Sequence, residues 1–265
     1  MFLSEILDVL GDCPIGFLKK DSFNTDFTGI RMLTKSQDMF LPGVLYFGPA
    51  TLFPRELHAN YCTNFLIYGT KEEYKAISAT DQPMNLLCLD PSVDVFLIYN
   101  QIQEIFLESQ RVVTGMRLLL DALFNDEGIQ GICDVAYSFL GNPIFIIDSS
   151  YHHIAVSTGA SADNDLMAKE NSLGRIEEEG IQFIRQSKLD DRVRKSRRPV
   201  YIHNPVHNRG MLIGTVKIQG IEVAHVMLYE QNRKISENDI ELIHRLCRIA
   251  SIELQKKDFY KKNKG

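Results

Sequence analysis

The chain has 265 residues, of which 45% are apolar and 24% are charged, and its net charge at neutral pH is −5. These values predict a soluble globular protein of one or two domains, and they exclude a disordered or fibrous chain. The negative charge also argues against a general affinity for the phosphate backbone of nucleic acids, so any contact with DNA would need another segment.

The N-terminal region lacks the features of a targeting or membrane segment. Glu5 and Asp8 interrupt its first apolar stretch and no basic residues precede it, so a signal peptide is not expected. The longest stretch without acidic or basic side chains, Met39 to Pro54, contains three prolines and is too short for a membrane-spanning helix. Five widely spaced cysteines in mostly apolar surroundings indicate reduced core thiols rather than disulfides. A cytoplasmic protein with no membrane partner is predicted.

Residues 1–93 are predicted to form a small α/β domain. Short apolar runs, which are typical of strands, alternate there with segments of helical composition. Several runs are continuously apolar, which favours strands buried on both faces, as in a parallel sheet. The predicted strands are Gly29–Thr34, Val44–Phe47, Phe65–Tyr68 and Leu86–Leu89, and the predicted helices are Pro54–Asn60 and Lys71–Ala79.

Residues 94–125 are predicted to be a connecting helix. Within Val95–Phe124, side chains recur at alternating steps of four and three, and this heptad seam is apolar except at Ser109. The seam consists of Ile98, Ile102, Ile105, Ser109, Val112, Met116, Leu119 and Leu123. One interpretation is a long helix that packs on its own domain. The other, which we favour, is a dimerisation helix that joins two domains, and it predicts a homodimer.

Residues 126–265 are predicted to form a second domain that ends in a long helix. The predicted elements are a helix at Ile129–Phe139, strands at Ile144–Ile147, His153–Ser157, Met211–Ile218 and Val223–Tyr229, and a polar, mostly helical segment from Asp163 to Arg198. The final helix begins at Ser236, where Asp239 completes an approximate capping box. Its two apolar stripes predict that one face packs on the domain and the other on a partner. Its lysine-rich end, 256–265, indicates a helix that has been cut off.

The sequence contains none of the common motifs of large enzyme classes. Phosphate-binding loops, dinucleotide-binding glycine turns, Gly-x-Ser-x-Gly elbows and His-Glu-x-x-His helices are all missing. His58 with Cys62, and His203 with His207, are spaced like paired metal ligands, but neither pair has an evident further ligand. We therefore predict no enzyme activity, no catalytic residue, no metal and no cofactor.

Strands Met211–Ile218 and Val223–Tyr229 flank Gln219–Glu222 and are predicted to form a hairpin. One dense basic cluster, Arg192–Arg198, precedes this hairpin. Cations at the C-terminal end of a helix are stabilised by the helix dipole, and acidic residues lie upstream at Glu177–Glu179. We favour this structural interpretation. The alternative is a contact with an anion or with nucleic acid.

Three segments resemble a known family. They are Val95–Phe106 (VFLIYNQIQEIF), Ile132–Ser150 (ICDVAYSFLGNPIFIIDSS) and Ser196–Tyr201 (SRRPVY). Together they resemble the sensory part of PucR/CdaR-type bacterial transcription regulators. The resemblance covers about 90–265, whereas the preceding part matches only in its strand–helix rhythm and in the stretch Gly43–Tyr46.

The resemblance implies an α/β (α+β) protein with three parts. A small N-terminal α/β domain (1–93) is followed by a connecting helix (94–125) and a GAF-like domain (126–265), whose mixed, mainly antiparallel sheet is flanked by helices. It also implies the effector-sensing and dimerising region of a transcriptional regulator. The expected partners are an unknown small-molecule effector and a second copy, bound through helices 95–124 and 236–262. DNA would be bound only through a C-terminal helix-turn-helix domain that this chain lacks.

A sensor of this kind needs a mostly apolar pocket with a few polar groups. The strands between 144 and 218, beneath the polar segment 160–198, are the expected site. We predict four polar ligand-binding residues there: Ser157, Tyr201, His203 and Arg209.

Two alternative functions stay open. One is a GAF-like interaction scaffold, which a cavity filled by side chains would support. The other is an unrecognised enzyme with a site at the strand ends of the N-terminal domain.

Overall fold

The computed structural model divides the chain into two compact units, unit 1 up to Gln110 and unit 2 from Arg111 onward. The described residues are 3–11, 15–20, 27–35, 37–54, 61–79, 83–90, 92–158 and 172–262. The division falls inside the segment 94–125 that the sequence assigns to a connecting helix.

Unit 1 is built around a five-stranded sheet. Its elements are α1 (Leu3–Leu10), β1 (Ile15–Lys20), β2 (Gly29–Met32), β3 (Val44–Pro49), a short 3-10 helix (Ala50–Leu52), β4 (Thr63–Tyr68), α2 (Lys71–Ser78) and β5 (Met84–Leu89). The strand order is β1-β5-β4-β3-β2, with β2 to β5 parallel and β1 antiparallel to β5. The predicted parallel sheet and α2 are confirmed, but the sequence patterns missed α1 and β1. Residues 55–60 of a further predicted helix lie outside the described residues.

The central strands of unit 1 are buried, as their continuous apolar runs predicted. Strand β5 is buried along its whole length, and β3 and β4 are buried except at their last residue. Asn64 and Asn85 are polar exceptions that lie opposite each other on β4 and β5. Both are buried, and the side-chain amide of Asn85 donates to the side-chain oxygen of Asn64 at 2.8 Å. This hydrogen bond offsets part of the cost of burying two amides.

The predicted connecting helix forms one continuous element, α3 (Val95–Phe124). Asp94 lies directly before it and accepts hydrogen bonds from the backbone N–H groups of Phe96 and Leu97, both at 3.1 Å. These donors have no partner within the helix, so the aspartate defines where the helix begins.

The heptad seam of α3 packs on the chain's own two cores. Ile98 and Ile102 are buried in unit 1, and Leu119 and Leu123 are buried in unit 2. The seam is therefore largely occupied within one protomer. Dimerisation through this helix stays a prediction.

Unit 2 is built around a five-stranded antiparallel sheet with helices on both faces. After α3, its elements are α4 (Gly128–Leu140), β6 (Ile144–Asp148), β7 (His153–Val156), α5 (Glu178–Gln186), α6 (Leu189–Lys195), β8 (Val200–Asn204), β9 (Arg209–Ile218), β10 (Ile221–Tyr229) and α7 (Glu237–Lys262). The strand order is β7-β6-β10-β9-β8. Helices α4, α7 and the end of α3 pack on one face, and α5 and α6 pack on the other. The predicted fold class is thereby confirmed.

The predicted hairpin has a shorter turn than expected. Its ladder continues until Ile218 pairs with Ile221, which leaves Gln219 and Gly220 as a two-residue turn. Both turn residues have positive φ, 50° and 83°, as in the type I′ turns whose twist matches that of the flanking strands.

Strand β8, which the sequence patterns missed, pairs with the other side of β9. It is a short edge strand with exposed residues, so it lacks a continuous apolar run.

Both apolar stripes of α7 are buried inside unit 2. Ile243 and Cys247 represent one stripe and Leu242 and Leu246 the other, and all four belong to the core formed with α3, α4 and the sheet. The prediction that the second stripe packs on a partner is therefore wrong. The reason is that α4 and the end of α3 already cover that face.

Cys88, Cys133 and Cys247 are free thiols and are buried. Burial raises the pKa of the Cys88 and Cys247 thiols to about 12 and that of Cys133 in the same direction. The thiols therefore stay protonated and unreactive near neutral pH. The prediction of reduced core thiols is confirmed for these three. Cys62 is only partly buried, and Cys13 lies outside the described residues.

Candidate functional site

The four predicted ligand-binding residues do not lie in one cluster. Ser157 follows β7 at one edge of the unit 2 sheet, whereas Tyr201 and His203 lie on β8 at the opposite edge and Arg209 begins β9. Ser157 is buried, and its hydroxyl oxygen accepts the backbone N–H of Ile144 at 3.0 Å. It therefore joins β7 to β6. The other three residues lie on β8 and β9, on the opposite side of the sheet.

The residues at the β8 edge form hydrogen bonds within the protein. The Tyr201 hydroxyl donates to the Glu230 carboxylate at 3.4 Å, and His203 Nε2 lies 3.2 Å from Asn208 Oδ1. Tyr201 is 47% exposed. These side chains form contacts within the protein at the β8 edge of the sheet. A ligand-binding role for the four residues stays a prediction.

Residues 159–171, which include part of the segment predicted to cover the effector pocket, lie outside the described residues. The described part of the predicted pocket is filled with side chains. It lies between the sheet and helices α5 and α6, and apolar residues from both layers meet there: Phe145, Ile147, Ile181, Ile184, Leu189, Val193, Ile213 and Met227. The cavity that remains, as bounded by the described residues, has a volume of about 10 Å³. This is about the space that one water molecule needs. A larger molecule fits there only if α6 moves away from the sheet.

A polar cluster lines the side of this small cavity. His225 is buried and places Nε2 3.3 Å from Glu222 Oε1, an oxygen that also lies 3.4 Å from Arg194. Nearby, the Tyr151 hydroxyl donates to Asp190 at 2.6 Å, and burial together with this hydrogen bond raises the pKa of Tyr151 to about 12. The cluster joins α6 to β10 and to the β6–β7 turn.

The buried His225 is expected to make the stability of unit 2 depend on pH. Burial lowers the pKa of its imidazole below the ordinary value of 6.5, and the attraction of Glu222 opposes this effect. Unfolding restores the ordinary pKa, so the unfolded state binds a proton at a higher pH than the folded state does. We therefore expect the free energy of unfolding to fall as the pH drops below about 6.5, by at most about 1.4 kcal/mol per pH unit for one proton.

Urea denaturation at several pH values, compared with the His225→Gln variant, measures this dependence. The free energy of unfolding of His225→Gln should fall less at low pH than that of the parent protein. The exposed His203→Gln control should show the same fall as the parent. Equal pH dependence in His225→Gln and the parent protein would contradict the prediction.

A second cavity of unit 2 is an open groove of about 560 Å³ between the α6–β8 loop, β9 and α7. Its lining combines apolar and basic residues. The apolar residues are Pro199, Gly214, Cys247 and Ile252, and the strongly basic ones are Arg194, Lys195, Arg197, Arg198, Lys217 and Arg248. None of the described residues that line it is acidic. We call it the basic groove.

The structure divides the basic cluster of the sequence into two parts. Arg192, Arg194 and Lys195 lie in the last turn of α6, where the helix dipole stabilises cations, as our favoured interpretation required. Arg197 and Arg198 lie beyond the helix and line the basic groove. The helix dipole does not account for this second part.

Acidic partners are scarce around the basic groove. Arg194 lies 3.4 Å from Glu222 and 3.6 Å from Asp191. Within the ranges that the structure describes, the other five strongly basic residues of the groove form no ion pair. Like charges that share one groove repel each other, and an anion between them would remove that repulsion.

The C-terminal half of α3 and helix α7 run parallel within unit 2. Arg111 of α3 lies beside Asp239 in the first turn of α7. Further along both helices, Lys256 of α7 donates to the backbone oxygen of Leu123 in the last turn of α3 at 3.0 Å. Polar contacts therefore join the two helices near both ends of their shared length.

Asp239 is the centre of the contact at the start of α7. It is completely buried, and its carboxylate accepts hydrogen bonds from Arg233 at 2.6 Å, from Arg111 at 3.1 Å and from the backbone N–H of Ser236 at 2.8 Å. The last bond is one half of the predicted capping box. The Ser236 hydroxyl accepts a hydrogen bond from Arg111 instead of completing the box. A buried carboxylate thus joins α3 to α7.

The described residues give little support for metal chemistry. Among them, no three His, Cys, Asp or Glu side chains come together in a way that could hold a metal ion. His58 of one predicted pair lies outside the described residues. Every helix in the described part of the chain is too short or too polar to cross a bilayer.

Comparisons with known proteins give a distant likeness in structure only. No protein-family model matches the chain, and no curated protein matches it either. The chain is similar to the crystal structure of the A. aeolicus nlh2 GAF domain in an inactive state, at 13% sequence identity and a TM-score of 0.39. The match covers 57% of this chain and 99% of that chain. A likeness at this level carries no argument about function, and the resemblance to PucR/CdaR-type regulators rests on the three sequence segments alone.

Proposed function

We propose that this chain is the effector-sensing and dimerising region of a bacterial transcriptional regulator. Unit 2 is the sensory part, and the paired helices α3 and α7 carry the change in conformation to another domain that contacts DNA. The proposal assigns no catalytic step to the chain. The observation that carries it is the parallel helix pair, which is joined by the buried carboxylate of Asp239.

A sensor needs an element that has two arrangements and responds to occupancy of a site. Helix α7 has the required position, because it packs on α3 and also lines the basic groove beside β9. A shift of α7 relative to the sheet therefore changes the packing of α3 as well. Since α3 continues from unit 2 into unit 1, the same helix belongs to both parts of the chain.

Paired spin labels test this coupling. Thr114 on α3 and Gln255 on α7 are exposed, so cysteines introduced there can be labelled without entering the core. The three buried cysteines have raised pKa values and should not react, whereas Cys13 and Cys62 are replaced by serine. We expect a ligand that raises the melting temperature to change the distance between the labels.

A label pair at Thr114 and Asp121 is the matched control, because both positions are exposed on α3 and their separation should not change. If a stabilising ligand left the α3–α7 distance unchanged as well, coupling through this helix pair would be wrong.

A second candidate function is a GAF-like interaction scaffold that binds no small molecule. One observation favours it, namely that side chains fill the space between the sheet and helices α5 and α6. Both candidate functions include dimerisation, which stays a prediction. Because the seam is largely occupied within one protomer, the exposed apolar side chains of α3 would have to take part: Phe96, Leu97, Leu107, Val113 and Phe124.

A further inference from the structure

We propose that the basic groove of unit 2 binds a small polyanion, that is, a molecule with two or more phosphate or carboxylate groups. This inference rests on the proposed sensory function, because it gives the chemical class of the effector. It places the effector between the α6–β8 loop and α7, and not in the filled space beneath α5 and α6.

The charge of the groove favours an anionic ligand. The whole chain has a net charge of −5, yet six arginine and lysine residues line this one groove. Only Arg194 has acidic partners among the described residues, and those partners lie outside the groove lining. The helix dipole stabilises Arg194 and Lys195 at the end of α6. It does not account for Arg197, Arg198 and Arg248, which line the same groove without an ion-pair partner among the described residues. An anion in the groove is attracted by all of them, and charge-assisted hydrogen bonds to phosphate or carboxylate are among the stronger ones.

The groove is also preorganised. The Ser196 hydroxyl accepts the backbone N–H of Arg198 at 3.2 Å and donates to the Arg198 carbonyl at 2.6 Å, which fixes the loop that carries Arg197. Lys217 Nζ donates to the Arg194 carbonyl at 3.3 Å and joins β9 to the end of α6. Less ordering is then required when a ligand binds, which favours affinity.

The dimensions favour a small molecule over nucleic acid. A volume of about 560 Å³ falls within the range of roughly 300–1,000 Å³ that is typical of small-molecule sites. A nucleic acid needs an extended basic stripe along its backbone. Here the cations surround one concave site with a partly apolar lining, in a chain whose overall charge is negative.

Occupancy of the groove would act directly on α7. His244, Arg248 and Ser251 of that helix line the groove opposite the α6–β8 loop. A polyanion that contacts Arg248 together with Arg197 or Arg198 would draw α7 and the loop together. The expected response is a change in the packing of α7 on α3.

Inorganic tripolyphosphate and citrate are the probes, and they distinguish phosphate from carboxylate as the source of the anionic groups. Calorimetric titration and thermal melting are carried out on the whole chain, with sodium chloride added to keep the ionic strength constant. We expect at least one probe to bind and to raise the melting temperature, while sodium chloride alone does not.

The double variant Arg197→Gln with Arg198→Gln removes two cations of the groove. We expect its affinity for the probe to fall by about tenfold or more, since the loss of even one charge-assisted hydrogen bond weakens binding by roughly that factor. The control is Arg117→Gln with Arg192→Gln, which removes the same charge from two exposed positions outside the groove. Its affinity should match that of the parent protein.

Three results would overturn the polyanion site. They are the lack of binding by both probes, equal weakening in both double variants, and stronger binding of a short DNA duplex that displaces the probes. Binding that depends on Arg197 and Arg198 but leaves the α3–α7 label distance unchanged has a different meaning. It would support the site and contradict the proposed coupling, so the two failures are distinguishable.

Discussion

Replacing Asp239 by alanine is expected to lower the free energy of unfolding by about 3–5 kcal/mol, the usual cost of removing one partner from a buried ion pair. Asp239 is completely buried, and Arg111 and Arg233 both donate to its carboxylate. The variant leaves two guanidinium groups without this acceptor, and it also removes the acceptor of the Ser236 backbone N–H. Urea denaturation followed by circular dichroism measures the change, since the chain has no tryptophan for fluorescence.

Glu241→Ala is the matched control. Glu241 lies on the same helix and forms an ion pair with Arg245 at 2.7 Å, but both side chains are partly exposed. Such pairs on a helix surface contribute about 0.2–0.5 kcal/mol. If Asp239→Ala and Glu241→Ala unfolded at the same urea concentration, the carboxylate would not be the anchor of the helix pair.

Replacing Gly115 by leucine is expected to destabilise unit 2 by about 1–3 kcal/mol, although leucine is the better helix former. Gly115 is buried on α3, and a Cβ atom there would lie 2.8 Å from the Phe139 ring and 3.1 Å from Leu242. The added side chain must therefore push α3 away from α4 and α7. Thermal or urea unfolding measures the loss.

The neighbouring position gives the control, because Thr114 is exposed on the same helix. Thr114→Leu should change stability by less than about 0.5 kcal/mol. The Phe139→Ala substitution should partly rescue Gly115→Leu, and the rescue would appear as a coupling energy in a double-mutant cycle. Without such a coupling, the close approach of the helices at Gly115 would not limit side-chain size.

Elements with strong local patterns could be predicted from the sequence. The long helix Val95–Phe124 has the predicted bounds because its periodicity extends over the whole segment. The buried strands of unit 1 were found because their apolar runs are continuous. Strands β1 and β8 lack this signal, since they are edge strands that contain basic or exposed residues. Their formation depends on the neighbouring strand.

The functional residues were harder to predict because they are assembled by the tertiary fold. Ser157 and Tyr201 were expected in one pocket, but the order of strands places them at opposite edges of the sheet. Arg111 and Asp239, which join α3 to α7, are 128 positions apart in the chain. Part of the basic groove was visible as a local cluster at 192–198. Residues from β9 and α7 complete it, and no local pattern indicates that they meet.

The buried asparagine pair of unit 1 has a consequence for the alignment of strands. Strands made of continuous apolar residues fit together almost equally well in several alignments, because each side chain finds an apolar neighbour in all of them. A shift of β4 against β5 by one residue would separate Asn64 from Asn85 and place each amide among apolar side chains. Each unpaired amide would cost about 1–3 kcal/mol. The pair therefore selects one alignment from a set that hydrophobic burial alone would leave nearly equal in energy.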